Sequence, residues 1–412
     1  MRVAIIDANY KDAKFQGLAA TWLRWECKRA GADVVPVESA DVALVTVSSQ
    51  QGVSDVRRVK KLIPSSIPVV LGGGGAWGPA VFRGLCDCVC VGEGQRFIRT
   101  MLSDGLDAAR ALPECWNWSE SRQVIPGTAF PWDVPPLRHP DGTIRVFGAR
   151  GCRRKCLFCQ TGWEQPYQQN PNPKLMVSQI TGLKKSGYKV AVITNDGAAD
   201  DYASILGQQE FVSATVEKLL TRPITRAWSK SIRLGVEGVS ERLRKAVGKP
   251  VSNKNLAELT LRAWSNGVGV RWFFIAGLPG ETESDWLELR DLVDMVRPAT
   301  KGVVMVNFHA FIPQPATPLC VLPLTDSYWE RFEEFRRWFF HGPGFTRRIQ
   351  IVAPAQYKGR IKRACESMAA TESELRRGWA EHDAPNWRVK YLLTPEQMRK
   401  AAKKYMERIT HA

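Results

Sequence analysis

The sequence contains no apolar run close to the roughly 18 residues that a membrane-crossing helix requires, so no membrane partner is expected. Its opening stretch, MRVAIIDANY, has a strand pattern and lacks the charged, apolar and small-residue zones of a secretory signal, which points to the cytoplasm. No internal repeat and no long low-complexity tract occurs, which argues against solenoids and propellers. Histidine is scarce, five in 412 residues and none before His139, so the first third offers no imidazole for catalysis or metal binding. Acidic residues are also in short supply. Against 58 Lys and Arg stand 41 Asp and Glu, a formal charge of +17, and such a surplus favours polyanions, of which nucleic acid is the commonest.

What is present fits a soluble globular protein of two or three domains: 44% apolar and 24% charged residues, both ordinary values. Ten cysteines in such a chain point to metal or redox chemistry rather than to disulfides. Three of them fall within eight residues, in Gly151-Cys152-Arg153-Arg154-Lys155-Cys156-Leu157-Phe158-Cys159-Gln160. Thiolates spaced CxxxCxxC on one loop can hold three irons of a 4Fe-4S cubane and leave the fourth iron open to a small-molecule chelator. A structural zinc site prefers four protein ligands, and no fourth Cys or His is near. Cys152, Cys156 and Cys159 are therefore the expected metal ligands.

The pattern along the chain predicts an α/β fold in several parts. Strand and helix patterns alternate over residues 1–105, as in a doubly wound Rossmann-like domain whose ligands sit at the carboxyl ends of the strands. Residues 106–142, rich in Pro, Trp and turn formers, read as a linker. A second alternation over 143–325, with strands at Ile144–Phe147, Val190–Thr194, Ser231–Val236, Val270–Ile275 and Val303–Phe308, fits a partial (β/α)6 barrel. Residues 326–412 read as a basic, mainly helical region. From His341 onward 15 Lys and Arg stand against 7 Asp and Glu, and Thr394-Pro395-Glu396 opens a terminal helix with Arg399, Lys400, Lys403 and Lys404 on one face. Lys358, Arg360, Lys362 and Arg363 form the best single phosphate-binding patch; a plain solvated charge run is its alternative.

The cysteine loop resembles that of the radical S-adenosylmethionine (radical SAM) superfamily, down to the aromatic Phe158 before the third cysteine. The resemblance continues through Cys159-Gln160-Thr161-Gly162, Val236-Glu237-Gly238-Val239-Ser240-Glu241-Arg242-Leu243-Arg244, Phe274-Ile275-Ala276-Gly277-Leu278-Pro279-Gly280-Glu281-Thr282 and Phe311-Ile312-Pro313-Gln314-Pro315-Ala316-Thr317-Pro318. These segments are similar to those of the branch with an N-terminal cobalamin-binding-like domain, and they cover about residues 1–320. The resemblance implies a 4Fe-4S cluster whose open iron is chelated by SAM, and reductive cleavage of SAM to a 5′-deoxyadenosyl radical that takes hydrogen from the substrate. It also implies an electron donor such as flavodoxin or ferredoxin. Phe158, Glu237, Ser240 and Arg244 are its implied cofactor contacts, with Thr194, Asn195 and Asp196 standing where the superfamily carries a glycine-rich segment. Here that segment has diverged.

Val69-Val70-Leu71-Gly72-Gly73 resembles a strand end of cobalamin-binding domains, where Gly72 and Gly73 would let the backbone approach a large planar ligand. Val91-Gly92-Glu93-Gly94 resembles another of their segments. The histidine that would ligate cobalt is missing, since Asp7 is followed by Ala8 and Asn9. Cobalamin binding and a bare Rossmann scaffold both remain open. Cys86, Cys88 and Cys90 allow a second cluster, as in methylthiotransferases, or packing in a buried strand.

Three functions compete. The first is modification or rearrangement of a nucleic-acid base, in DNA more than in RNA, with the basic tail and the 15 tryptophans as contact surfaces. Within it, the compact size and basic tail resemble radical SAM isomerases of bacteriophage DNA hypermodification, which rearrange an amino acid already attached to thymine; a phage-borne enzyme would work in its host's cytoplasm. The second is a cobalamin-dependent radical SAM methyltransferase acting on a small molecule or peptide. The third is a non-catalytic basic protein with a structural metal. Trp22, Trp25, Trp272 and Trp338 are expected in the core, and Trp163, Trp379 and Trp387 at the surface.

Overall fold

The computed structural model describes residues 1–9, 17–49, 52–118, 123–139, 141–194, 206, 212–297, 303–325, 327–341, 349–352, 357–378, 386 and 389–411. Strands β1 (Arg2–Asp7), β2 (Asp33–Val34), β3 (Val42–Thr46), β4 (Val69–Gly72), β5 (Cys88–Cys90) and β6 (Cys115–Trp116) form one sheet in the order β2-β1-β3-β4-β5-β6. All pairs are parallel except the last. The uninterrupted apolar runs of β3 and β5 suit strands buried on both faces. One face carries Val3, Ile5, Leu44 and Val70; the other carries Val45, Leu71 and Trp77 and is continuous with the core of the second sheet system.

Beyond β7 (Leu137–Arg138) the chain builds the barrel. Strands β8 (Ile144–Phe147) and β11 (Val190–Ile193) pair in parallel, and the short β9 (Ala149–Arg150) and β10 (Gln168–Gln169) pair at the edge of the cysteine loop. Strands β12 (Val212–Ala214), β13 (Ser231–Gly238), β14 (Gly269–Ala276), β15 (Val304–Ala310) and β16 (Ile349–Val352) continue as a parallel five-stranded sheet. Strict alternation along β13 and β14 sends Ile232, Leu234, Val236, Val270, Trp272 and Phe274 outward against the helices Asn253–Ser265 and Glu283–Val296. Phe308 of β15 stacks on Phe274 at 5.6 Å and on Trp286 at 5.5 Å, locking strand to helix.

Two sequence expectations change. Residues 106–142 do more than link domains: Leu106–Arg110 is helical, β6 closes the first sheet, β7 pairs with β8, and Phe130 and Leu137 are buried in the core. Trp116 lies in the core shared with the barrel, and Trp132 packs against the core of the first sheet. The last region, expected to be mainly helical, also lends β16 to the barrel. That strand has only four residues, with too short an alternation to stand out. The terminal helix, Pro395–Thr410, seats Met398, Ala402, Tyr405 and Ile409 on the barrel, where the Tyr405 hydroxyl donates to the Pro279 carbonyl at 2.8 Å. Among the described residues no helix is long and apolar enough to cross a membrane.

Candidate functional site

The cysteine loop leaves β9 through Gly151, whose φ of +67° and whose closeness to the Pro166 carbonyl both require glycine. Backbone bonds pin the loop to two other segments: Leu157 N–H donates to Val247 at 3.1 Å, and Leu319 N–H donates to Leu157 at 3.1 Å. Trp163, expected at the surface, instead donates its indole N–H to the Cys156 carbonyl at 2.9 Å, while the Lys155 ammonium reaches the Gly162 carbonyl and lies over the Trp163 ring at 5.2 Å. Trp22 and Trp272 are buried as expected, Trp25 and Trp338 are half-buried, and Trp379 and Trp387 lie outside the described residues. Phe158 is half-buried against the barrel core.

Cys152 and Cys156 are buried, Cys159 is half-buried, and all three are free thiols. Burial pushes the Cys156 thiol up to about 11, opposed by the nearby Lys249 ammonium and reinforced by Cys159, Glu237 and Cys152. Burial likewise raises Cys159, against hydrogen bonds from Thr161. Three thiols that feel one another's charge, beside Lys249 and with the Arg154 N–H 3.4 Å from the Cys152 sulfur, form a donor set suited to an anionic cluster. Among the described residues no three His, Cys, Asp or Glu side chains are gathered as ligands of one ion. A cubane places each thiolate on its own iron, so it does not require that convergence.

The implied SAM contacts divide. Glu237 stands at the carboxyl end of β13 and accepts from Lys249 at 2.6 Å. Ser240 is fully buried and already engaged: its oxygen accepts from the Leu243 N–H and its hydroxyl donates to Asp285 at 2.5 Å. It caps the helix that follows. Arg244 is also fully buried, bonded to Asn253 and 3.7 Å from Glu288, but its Nε and Nη1 find no hydrogen-bond partner. The Thr194 hydroxyl is in the same condition. Such orphaned donors fit a ligand with carboxylate and hydroxyl groups, which SAM has. Asn195 and Asp196 lie outside the described residues.

A cavity of about 520 Å³ opens between the carboxyl ends of the first sheet and the cysteine loop. Thr46, Gly72, Gly73 and Trp77 line one side, and Arg150, Gln160, Thr161 and Glu164 the other. A side chain at Gly72 would make an ordinary contact with the Cys90 carbonyl at 3.9 Å, whereas one at Gly73 would strike the Val47 carbonyl at 2.7 Å. The need for glycine at Gly73 is thus met by chain packing, with no planar ligand required. Arg150 donates to Glu93 at 2.8 Å. Burial, moderated by Arg150 and reinforced by Glu93, pushes the neighbouring Glu164 carboxyl up to about 8. Three buried atoms of cavity-lining residues, Trp22 Nε1, Thr46 Oγ1 and Gln165 Oε1, have no hydrogen-bond partner. Asp7 does not join them, because its carboxylate holds Asn9 and Gly17. Cys88 and Cys90 pack in the core of the first sheet.

Residues 146–293, which contain the three cysteines, match the radical SAM superfamily. This segment is a radical SAM domain. Its relatives include the tRNA-2-methylthio-N(6)-dimethylallyladenosine synthase of Chromobacterium violaceum, 23% identical over 329 residues, 69% of this chain and 70% of that protein. The ribosomal protein uS12 methylthiotransferase RimO of Roseiflexus sp. is 22% identical, with 58% of this chain and 57% of that protein aligned. Among solved structures, the cobalamin-dependent S-adenosylmethionine radical enzyme OxsB with aqua-cobalamin bound is similar in fold, with a TM-score of 0.52 and 13% identity. The match covers 84% of this chain and 56% of that one, so this radical SAM chain spans little more than half the length of OxsB. A radical SAM domain implies a 4Fe-4S cluster and SAM. Lys249, Arg150 and Glu164 escaped the sequence analysis, and Trp163 was expected only at the surface; each lies outside the motif segments or serves a neighbour in space.

Proposed function

We propose that this radical SAM enzyme modifies or rearranges a base of a nucleic acid, DNA rather than RNA. Cys152, Cys156 and Cys159 hold the cluster, while Arg244, Glu237 and Thr194 are the residues available to SAM. The reduced cluster with SAM supplies a 5′-deoxyadenosyl radical. The protein's part is to seat the substrate, keep water out and fix the reacting hydrogen near the cluster loop.

The terminal helix carries the nucleic-acid reading. Its apolar edge is seated on the barrel, which leaves Lys400, Lys403 and Lys404 exposed together, with Arg399 half-buried beside them. Lys362 and Arg363 are exposed on the helix Tyr357–Met368; the side chains of Lys358 and Arg360 lie outside the described residues. Fixed lysines on a rigid helix suit a phosphate backbone. The relatives named for tRNA modification support a nucleic-acid substrate, while the choice of DNA rests on the basic tail and compact size alone. A substrate base already decorated with an amino acid, as in phage DNA hypermodification, is the finer form of the proposal. An acidic flavodoxin or ferredoxin suits the same positive surface as electron donor.

The cavity favours a second reading, cobalamin-dependent methyl transfer. It lies where doubly wound sheets bind ligands, and its unpartnered polar atoms ask for a polar occupant. Incubating the anaerobically reconstituted enzyme with SAM, dithionite and phage or host DNA, then digesting to nucleosides for mass spectrometry, separates the two. A new or rearranged nucleoside without added cobalamin supports the first reading. Nucleosides unchanged with DNA, together with a methylated small molecule only when cobalamin is supplied, would replace it with the second.

A further inference from the structure

The cavity between the first sheet and the cluster loop has an aromatic side and an acidic side. Trp22, Trp77, Phe97 and Phe147 supply the aromatic surface, and about 520 Å³ is room for an organic ligand rather than a lone ion. Glu164 and Gln165, neighbours in sequence, both reach the wall. Gln165 is 4% exposed, and its Oε1, an acceptor, has no hydrogen-bond partner among the described residues. Thr46, 2% exposed, presents an equally unpartnered hydroxyl from the first sheet.

Among the described residues no hydrogen bond reaches the half-buried Glu164 carboxyl. Arg150 of β9, whose charge acts on it, gives its Nε and Nη2 to Glu93 at 2.8 Å and 2.5 Å and lies over the Phe130 ring at 5.1 Å. Arg150 and Glu93, which follows β5, are the charged groups that face Glu164, and as a pair they carry no net charge. The Tyr391 phenol, also nearby, is kept neutral by burial. A carboxyl in such a place stays protonated until a cation joins it.

We propose that this cavity binds an organic primary amine, whose ammonium pairs with Glu164 and donates to Gln165 Oε1 while its apolar body lies against the aromatic wall. An ammonium offers three donors and no acceptor, the complement of a carboxylate and two unpartnered oxygens. Aromatic faces add their own attraction for a cation. The inference goes beyond the nucleic-acid reading and does not need it, and it gives the cavity an occupant other than the corrin of the second reading. A free small amine and an amine carried on a modified base present the same group.

Binding requires the Glu164 proton to leave for solvent as the ammonium arrives. Burial holds this carboxyl at about 8, whereas an alkyl ammonium, like that of lysine, keeps its charge to well above pH 8. Affinity should therefore rise with pH up to about 8 and then level off.

The test is calorimetry of the full-length, cluster-reconstituted enzyme with phenethylamine, in buffers of different ionisation enthalpy. About one proton should be released at pH 7, and affinity should rise roughly tenfold from pH 6 to pH 7. Glu164→Gln is expected to abolish the release and the pH dependence and to weaken binding at pH 8 at least tenfold, by roughly the worth of a charged hydrogen bond. Gln165→Met should weaken binding roughly threefold with the release intact. Phenethyl alcohol has the same shape without the charge and should bind at least tenfold more weakly. Equal affinity for alcohol and amine overturns the proposal, as does undiminished amine binding by Glu164→Gln. If that variant does not fold, the wild-type comparison of amine with alcohol and the proton release carry the test. Aminoallyl-deoxyuridine, with thymidine as its control, identifies the source of the amine. Glu164-dependent binding of this nucleoside supports the site and joins it to the nucleic-acid reading. Binding of phenethylamine alone supports the site for a free amine, and it then stands even where the nucleic-acid reading falls. Binding of neither overturns the proposal and leaves that reading untouched.

Discussion

Lys249 donates to the Glu237 carboxylate at 2.6 Å, and Glu237 is the residue of β13 whose backbone turns left-handed, with φ at +76°. A non-glycine residue in that region costs on the order of 1 kcal/mol and persists only when its surroundings hold it. The register of β13 against β14 shifts at the same point, between Gly235 and Glu237. Gly235 keeps room for the pair, since a side chain there would meet Glu237 Oε1 at 2.5 Å and Lys249 Nζ at 2.8 Å. The strand end is shaped to aim one ion pair at the cluster loop.

Replacing Lys249 with Met should cost about 2 kcal/mol, because it leaves the mostly buried Glu237 carboxylate without its cation. Burial works against the Lys249 charge, but Glu237 prevails and holds its pKa above the ordinary value. A lysine so raised stabilises fully below its unfolded pKa, about 10.4, and loses the effect only as pH climbs past the folded value. The cost of Lys249→Met should therefore be the same in urea titrations at pH 6 and pH 9. A cost that vanished at pH 9 would contradict the pairing.

Ala in place of Cys152, Cys156 or Cys159, one at a time, should strip the chain of a cubane. After anaerobic reconstitution each variant should hold well under half of the wild-type iron and release no 5′-deoxyadenosine from SAM under dithionite. Cys320→Ala serves as the control. Cys320 is buried beside Thr317 and the loop it follows, and burial holds its thiol up at about 12, far from thiolate chemistry. Iron content unaffected by any of the three changes would remove the cluster from this loop.

The long strands β13 and β14 were legible because eight residues of strict alternation leave no other period, and the cysteine loop was legible because spacing alone carries its chemistry. The three and four residues of β12 and β16 are too few for such a pattern. The bond from the Ser240 hydroxyl to Asp285, 45 residues away, was not legible, because the motif is local and the partner is brought near only by folding. Glu164 carried no signal at all. Its character comes from Arg150, Glu93 and the cavity wall, which only folding brings together.

Glu164 should titrate near pH 8, where most glutamates are long since ionised. A carboxyl raised in the fold favours its neutral form, so its stabilisation is complete below the unfolded pKa of about 4.3 and is lost as pH rises through the folded value. Glu164→Gln, which cannot ionise, should gain on the wild type between pH 6 and pH 9. Solvent screening at this half-buried position keeps that gain on the order of 1 kcal/mol. Melting temperatures across this range read it directly. Parallel curves for the two proteins would mean that Glu164 is charged throughout.

Gly280 has a φ of +77°, and a side chain there would run into Ile409 of the terminal helix. The same helix is held by Tyr405 to the Pro279 carbonyl and by Arg242, whose guanidinium donates to the Ile409 carbonyl at 2.6 Å and to Asp285 at 2.6 Å. Gly280→Ala should therefore combine backbone strain with overpacking and cost about 1–3 kcal/mol. The loss should appear first in the helix, as faster amide hydrogen exchange over residues 395–410, before the strands of the barrel loosen. Because Lys400, Lys403 and Lys404 are fixed in space only while the helix is docked, DNA affinity should fall with it. Exchange that quickened in the helix while DNA binding stayed intact would show that these lysines act as a mobile charge cloud instead of a shaped surface.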